Sequence, residues 1–359
     1  MTSVMQVLHQ GGGAGSVTST LHLSIGLARA GLQVRFVCPP NSEAELLARN
    51  SGLEVHPLSL EPRRTGANAA RLATLLERNP VALINSQSAR DRAALTRLAL
   101  TGRLRVPFVA TRRQMPRTFF VTNWLTSRLA ARMVAVSRAV GEALVRRGTP
   151  RSKLAIIPNG LVTDRVDVPV SEKALEAWRR RIGWEPERHT VGIVSRPKDQ
   201  AVVLQALELV RIPVTLVLAG VDPNSELGKL AGRAPSRHRV VCIPFDTQVR
   251  PLYDLLELVL LPSRSEGLSQ ALLEAMALGK PVIASAATGN LEVVTDGVDG
   301  RLVAPRNPVA WAGAIEKLLG DNRTASKLGA AALVTARERF SLARTIDLTI
   351  SLYRSVLGA

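Results

Sequence analysis

The chain has 359 residues with a formal net charge of +18, and 46% of its residues are hydrophobic. This length suits two domains, and the composition excludes a disordered tail or a fibrous protein. Only 3% of the residues are aromatic, which is few for the stacking platforms of single-strand nucleic-acid binding.

Positive charge is concentrated in the first half of the chain. Residues 1–165 hold 23 Lys/Arg and 8 Asp/Glu, whereas residues 166–359 hold 24 and 21. A negatively charged partner of the first half would account for this asymmetry, and so would an arginine-rich solvated surface.

Short apolar runs alternate with helical patterns from end to end, as is typical of parallel sheets covered by helices. The sequence therefore predicts an α/β protein with two Rossmann-like, doubly wound parallel-sheet domains that face a ligand-binding cleft. A turn at Asn159-Gly160 and a Val-Pro-Val connector place the domain boundary at about 167/168. Strands are expected over 4–8, 33–38, 53–56, 81–84, 106–110, 132–136 and 154–157, then 190–194, 214–218, 239–243, 258–261, 281–284 and 301–303.

The cysteines and the N-terminus indicate a cytoplasmic protein. Cys38 and Cys242 lie far apart in apolar runs, which predicts buried cysteines in a reducing compartment. No basic segment followed by an apolar run opens the chain, so we expect no signal peptide, and no apolar stretch is long enough to span a membrane. The absence of CxxC, HExxH and Asp-x-Asp patterns predicts that no metal is bound.

The strongest local motif runs from Pro262 to Pro281. An apolar strand leads to a turn at Gly267 and then to a helix, whose first amides at Gly267, Leu268 and Ser269 would suit a diphosphate. Glu266 precedes the first turn. Glu274 lies inside a mostly apolar helix, so its carboxylate needs a partner: a ligand hydroxyl such as a ribose diol, or a neighbouring backbone group or Arg.

Two other loops also follow strands. Arg196 and Lys198 follow the strand at 190–194 and form either an anion site or a solvated loop. The glycine loop at 11–15 lets a ligand approach the backbone, or is a tight turn with no ligand. Because no acidic residue ends the second strand, this loop does not match a nicotinamide site. His9 beside it is placed for acid–base chemistry, or is a packed or capping histidine.

Several stretches resemble the retaining family-4 glycosyltransferases of the GT-B fold. They are the run 134–145, the Ile-Ile-Pro-Asn-Gly run at 156–160, and Glu266 and Glu274 followed by Ala-Met-Ala-Leu-Gly-Lys-Pro at 275–281. The loops at 288–294 and 296–300 are also similar to those of the family. The resemblance covers most of the chain and is most specific from 258 to 303.

This resemblance implies that the C-terminal domain, 168–341, binds a UDP-, GDP- or ADP-linked sugar without a cofactor or metal. The N-terminal domain, 1–167, would bind the acceptor, and the last helix, about 342–357, would return to it. The catalytic residues implied are Glu266 on sugar hydroxyls and Arg196 and Lys198 on the diphosphate. The donor-binding residues implied are Gly267, Leu268, Ser269, Glu274, Gly12, Gly13 and Gly15.

The sequence departs from the family on the acceptor side. Where many relatives carry His, this chain has Ser86-Gln87-Ser88 and Thr111-Arg112-Arg113, and the Arg196–Lys198 spacing is short. We assign His9, Arg112 and Arg113 to the acceptor side, where the arginines would bind an anionic acceptor.

The expected function is hexosyl transfer with retention to a cell-envelope glycolipid, a lipopolysaccharide-type acceptor or a saccharide. The basic half would dock on the anionic inner face of the cell membrane. Two alternatives remain: a nucleotide-sugar epimerase of GT-B shape, and a basic nucleic-acid-binding protein.

Overall fold

A computed structural model describes residues 2–12, 15–116 and 119–358. Two compact units divide the chain: Met1–Gly160 with Leu342–Ala359, and Leu161–Ser341. Each contains one parallel sheet with helices between its strands, so the predicted pair of doubly wound, Rossmann-like sheets is confirmed. Among the described helices, none is long and apolar enough to cross a bilayer.

The first unit has a seven-stranded sheet in the order β3-β2-β1-β4-β5-β6-β7. The register aligns Val4 of β1 with Val34 on one side and Leu83 on the other, and all three side chains are buried in the core. The strands are β1 (Ser3–Val7), β2 (Gln33–Cys38), β3 (Glu54–Pro57), β4 (Leu83–Ser86), β5 (Phe108–Arg112), β6 (Arg132–Ala135) and β7 (Leu154–Ile156). The helices are α1 (Gly15–Arg29), α2 (Glu43–Asn50), α3 (Thr65–Arg78), α4 (Ala89–Leu100), α5 (Phe120–Leu129), α6 (Arg138–Val145) and, after the second unit, α16 (Leu342–Leu357).

The second unit has a six-stranded sheet in the order β10-β9-β8-β11-β12-β13. The strand order reverses beside β8, because β9 lies on one side of it and β11 on the other. Its strands are β8 (His189–Val194), β9 (Val214–Ala219), β10 (Arg239–Ile243), β11 (Leu258–Leu261), β12 (Val282–Ser285) and β13 (Arg301–Val303). Its helices are α7 (Thr163–Val166), α8 (Glu172–Ile182), α9 (Ala201–Leu207), α10 (Glu226–Ala231), α11 (Arg250–Leu255), α12 (Gln270–Ala277), α13 (Asn290–Val293), α14 (Pro308–Gly320) and α15 (Asn322–Arg339).

The chain passes from the first unit to the second at 160/161 rather than at 167/168. The intervening residues are tied to the end of α15: the Leu161 amide donates to the Phe340 carbonyl at 2.6 Å, and Arg337 pairs with Asp167 at 2.6 Å. These bonds hold the segment 161–167 within the second unit.

The two cysteines differ in burial. Cys38 is fully buried, as expected, and burial raises the pKa of its thiol to about 11. Cys242 is only partly buried, which corrects the prediction. The physical reason is that β10 is an edge strand and has a neighbouring strand on one side only.

Candidate functional site

Two loops at the carboxyl ends of adjacent strands form the centre of the candidate site in the second unit. One follows β8 and the other follows β11, at the point where the strand order reverses. Two ion pairs join them: Arg264 Nε contacts Asp199 Oδ1 at 2.6 Å, and Lys198 Nζ contacts Glu266 Oε1. Open parallel sheets bind ligands at this kind of position.

Three residues predicted to be catalytic lie in these two loops. Lys198 and Glu266 form a direct ion pair, and Arg196 is exposed two residues before Lys198. The Lys198 side chain is 38% exposed and that of Glu266 is 11% exposed. The structure therefore places an accessible cation on a more deeply buried carboxylate.

The helix after β11 begins later than the sequence predicts. Ser269 is the N-cap of α12, and its hydroxyl accepts from the Leu272 amide at 3.4 Å. Gly267, Leu268 and Ser269 therefore precede the helix rather than form its first turn, which corrects the expected start. Among the described residues, none accepts a hydrogen bond from these three amides.

The segment after β12 is hydrogen-bonded to the loop that carries Glu266. The Glu266 amide donates to Thr288 Oγ1 at 2.9 Å, and the Gly289 amide donates to the Glu266 carbonyl at 3.2 Å. A Cβ at Gly289 would lie 2.0 Å from the Gly267 carbonyl oxygen, so only glycine fits there. This close approach fixes the backbone of the loop that carries Glu266.

Glu274 on α12 is 6% exposed and has two partners. Arg165 Nε contacts its Oε1 at 3.0 Å, and the Tyr253 hydroxyl donates to its Oε2 at 3.3 Å. Burial raises the pKa of Glu274, while Arg165 and the Tyr253 hydrogen bond act in the opposite direction. An Arg partner was one of the alternatives predicted, but neither Arg165 nor Tyr253 carries a signal in the sequence that identifies it.

A cavity of about 370 Å³ adjoins Glu274 within the second unit. Its walls combine apolar side chains with a few polar groups, as small-molecule sites commonly do. The lining residues are Arg165, Val168, Pro169, Val170, Ser171, Ala174, Thr247, Gln248, Val249, Arg250, Pro251, Tyr253, Glu274 and Leu278.

In the first unit, His9 contacts a serine and a buried carboxylate. His9 Nδ1 lies 2.5 Å from Ser88 Oγ and 3.2 Å from Asp91 Oδ1. Asp91 Oδ2 accepts from the amides of Gln87 and Ser88 at 2.7 and 2.8 Å. Sequence reasoning missed Asp91, although Ser88 and Asp91 have the spacing of a capping box at the start of α4.

Arg112 and Arg113 are held within the first unit. Arg112 is 5% exposed, and burial together with Arg92 and Arg147 lowers its pKa to about 9. Arg113 is partly buried and donates to Gln87 Oε1 at 2.9 Å. Both side chains therefore take part in the interior of the unit, and their predicted contact with an anionic acceptor stays a prediction.

The glycine loop lies close to α2. A Cβ at Gly12 would meet the Glu43 carboxylate at 2.7 Å, and Gly15 is the first residue of α1. Gly13 lies outside the described residues. Because a carboxylate repels a phosphate, a phosphate could reach Gly12 only if the Glu43 side chain turned away.

In the part of the chain that the structure describes, no group of three or more His, Cys, Asp and Glu residues is arranged to hold a metal ion.

Two family models match successive parts of this chain. Glycosyltransferase Family 4 matches residues 13–165, and Glycosyl transferases group 1 matches residues 188–321. With the two Rossmann-like sheets, these matches show that the chain belongs to the family-4 glycosyltransferases of the GT-B fold.

Individual relatives are similar over part of their length. The chain is 33% identical over 219 residues to D-inositol 3-phosphate glycosyltransferase of Xylanimonas cellulosilytica, covering 57% of this chain and 52% of that protein. An uncharacterised glycosyltransferase of Methanocaldococcus jannaschii is 30% identical over 209 residues, covering 55% and 53%. The chain thus spans about half the length of these curated relatives.

The fold also matches a solved structure over its whole length. The crystal structure of Anabaena HepE in complex with UDP and glucose has a TM-score of 0.85 and 20% identity, covering 99% of this chain and 100% of that chain.

Proposed function

We propose that this protein transfers a hexosyl group from a nucleoside-diphosphate sugar to an acceptor hydroxyl, with retention of anomeric configuration. The observation that carries the proposal is the position of Glu274, a buried carboxylate on the wall of the 370 Å³ cavity. Family membership supports the reaction class, and the UDP complex of HepE supports a nucleotide donor.

The nucleoside would occupy this cavity, with its ribose diol on Glu274. A carboxylate accepts hydrogen bonds from two vicinal hydroxyls, which makes Glu274 suitable for this role. Arg165 and Tyr253 would hold the carboxylate charged and oriented. The apolar part of the lining would contact the base.

The diphosphate would lie over the two loops described above. Arg196 and Lys198 supply positive charge, and the amides of Gly267, Leu268 and Ser269 supply donors. As the bond between the sugar and the diphosphate breaks, negative charge collects on the leaving group, so cations and amides already in place lower the barrier. Glu266 would accept from the sugar hydroxyls once Lys198 turns to the phosphate.

On the acceptor side we propose His9, Arg112 and Arg113, with Gly12, Gly13 and Gly15 reaching the donor phosphate. The acceptor would be a cell-envelope glycolipid, a lipopolysaccharide-type acceptor or a saccharide. The protein would act in the cytoplasm, bound peripherally to the inner face of the cell membrane. The Xylanimonas relative, a D-inositol 3-phosphate glycosyltransferase, favours a second candidate, a phosphorylated polyol. The excess of basic residues in 1–165 suits an anionic glycolipid and a phosphorylated polyol equally well. No cofactor or metal is proposed.

Ligand-induced stabilisation tests the donor directly. We expect one of a panel of UDP-, GDP- and ADP-linked sugars to raise the melting temperature of the chain, because a ligand that binds only the folded state stabilises it. Product analysis with acceptor would then give the anomeric configuration. Conversion of the donor without acceptor would instead indicate an epimerase, and binding to duplex DNA without binding of any sugar nucleotide would indicate a nucleic-acid-binding protein.

A further inference from the structure

Helix α5 and the residue before it expose aromatic side chains to solvent. Phe119 is 86% exposed, Phe120 55%, Val121 69% and Trp124 40%. Aromatic residues are only 3% of the chain, yet three of them are exposed within six positions. Contiguous exposed apolar side chains often mark an interaction surface, whereas single exposed apolar residues are ordinary on protein surfaces.

The inward side of the same helix is polar. Asn123 and Ser127 are buried, and both contact Thr149: Asn123 Nδ2 donates to Thr149 Oγ1 at 2.9 Å, and the two hydroxyls of Ser127 and Thr149 lie 2.7 Å apart. Thr126 contacts Thr96 in the same way at 3.0 Å. A helix on the surface of a soluble protein normally buries its apolar side. The reversed polarity of α5 suits an apolar environment outside the protein.

The turn after α6 holds this apolar face in place. Gly148 has φ +85, and a Cβ there would lie 2.9 Å from Phe120 Cζ and 3.2 Å from Trp124 Cβ. The Asn123 side chain also donates to the Arg147 carbonyl at 3.0 Å. The tip of the Phe120 ring and the Cβ of Trp124 therefore pack against a turn that favours glycine, and the two side chains are still 55% and 40% exposed.

The apolar face lies in a strongly basic stretch of the chain, and exposed arginines lie next to it. Residues 92–163 contain 14 Lys/Arg and one acidic residue, Glu142, which pairs with Arg151 at 2.8 Å. Arg128 stacks over the Trp124 ring at 5.5 Å, and exposed Arg146 lies two residues before Gly148. Anionic headgroups are the complement of such cations, and aromatic rings favour the boundary between headgroups and acyl chains.

We propose that Phe119, Phe120, Val121 and Trp124, together with Arg128 and Arg146, form the docking surface of this protein for an anionic lipid bilayer. The rings enter the interfacial region and the guanidinium groups contact lipid phosphates. The proposal rests on the proposed function in one respect, that the acceptor is presented at a membrane. Docking itself requires neither donor nor acceptor.

Vesicle flotation of the full chain tests this surface. We expect binding to phosphatidylcholine vesicles that contain phosphatidylglycerol, weaker binding without it, and weakening by salt. The double variant F119S/V121S should lose about tenfold or more in vesicle affinity, because two exposed apolar side chains no longer enter the lipid. The control L46S/L100S changes leucines of the same unit that are 61% and 59% exposed, and it should bind like the wild type.

Fluorescence quenching supplies a second readout. Brominated acyl chains should quench the tryptophan fluorescence of the wild type, and the variant W124F should lose that quenching. Equal vesicle affinity of F119S/V121S and wild type would overturn the proposal. A change in oligomeric mass of that variant without lipid would also overturn it, because a second copy would then cover this face. Failure to bind any sugar nucleotide would contradict the proposed function and leave these results unaffected.

Discussion

At the scale of single residues, Glu274 is the most informative side chain. The sequence places a carboxylate on an apolar helix and therefore requires a partner for it. The structure supplies Arg165 and Tyr253 and puts the carboxylate on a cavity wall. Burying a carboxylate costs free energy even when it is paired, so retaining one here is consistent with a role in ligand binding.

The pH dependence of stability should reveal this cost. Burial raises the pKa of Glu274 above its ordinary 4.5, so the folded chain holds this proton more tightly than the unfolded chain. Its contribution to stability is present below the unfolded pKa and is lost as pH rises through the folded pKa. The variant E274Q has no carboxyl group at this position, so it does not lose this stability as pH rises. We expect its free energy of unfolding, relative to wild type, to increase with pH in urea denaturation without nucleotide. A difference that stays constant or decreases with pH would contradict the effect of burial.

At the scale of elements, the two loops after β8 and β11 act as one assembly. Two ion pairs connect them, Lys198 with Glu266 and Arg264 with Asp199. Only the first pair contains residues that we assign to donor binding. Lys198 would exchange Glu266 for the diphosphate, whereas Arg264 has no proposed contact with the donor. The two cations can therefore be compared directly.

Replacing Lys198 should weaken binding of the diphosphate but not of the nucleoside. We expect K198A to lose about tenfold to a hundredfold in affinity for the preferred nucleoside diphosphate, the size expected for a charge-assisted hydrogen bond. Affinity for the nucleoside alone should stay the same. Calorimetric titration measures both. Equal losses in K198A and in the control R264A would mean that the ion pairs only hold the loops together.

The sequence predicts the strands well and the helix starts less well. Observed strands lie within one or two residues of the expected ones, because buried parallel strands are continuous apolar runs. Helix α1 begins at Gly15, before the first residue of its apolar pattern. The sequence does not reveal this start, because the first turns are rich in Ser and Thr and so lack apolar periodicity. Their hydroxyls donate back to helix carbonyls, as Ser19 does to Gly15 at 2.8 Å.

Two features of the elements could not be predicted. The helix after β11 starts at Gln270 because Ser269 caps it, although apolar periodicity extends back to Leu268. The second is the reversed polarity of α5, because the sequence does not reveal which side of a short helix is buried. Partner side chains distant in sequence, such as Arg165 for Glu274, likewise appear only in the folded chain.

At the scale of the whole molecule, the chain returns to its first unit through α16. Tyr353 on that helix is fully buried, and its hydroxyl accepts from Gln6 Nε2 at 2.9 Å and from Asn85 Nδ2 at 2.7 Å. The last helix is thereby hydrogen-bonded to β1 and β4. This helix therefore completes the unit that carries the α5 surface and the residues that we assign to the acceptor.

Removing this hydroxyl should destabilise the first unit. The variant Y353F leaves two buried amide donors without their acceptor, which costs about 1–3 kcal/mol. Urea denaturation followed by circular dichroism measures the loss. The control S355A changes an exposed side chain of the same helix and should be neutral. A neutral Y353F would show that the amides find other acceptors.

The central claim is that Glu274 and the adjacent cavity bind the nucleoside of a sugar nucleotide. Calorimetric titration of wild type and E274A with the sugar nucleotide that stabilises the chain most tests it directly. We predict that E274A loses about tenfold to a hundredfold in affinity, because its hydrogen bonds to the ribose diol are absent. Unchanged affinity in E274A, with the chain still folded, would contradict the account.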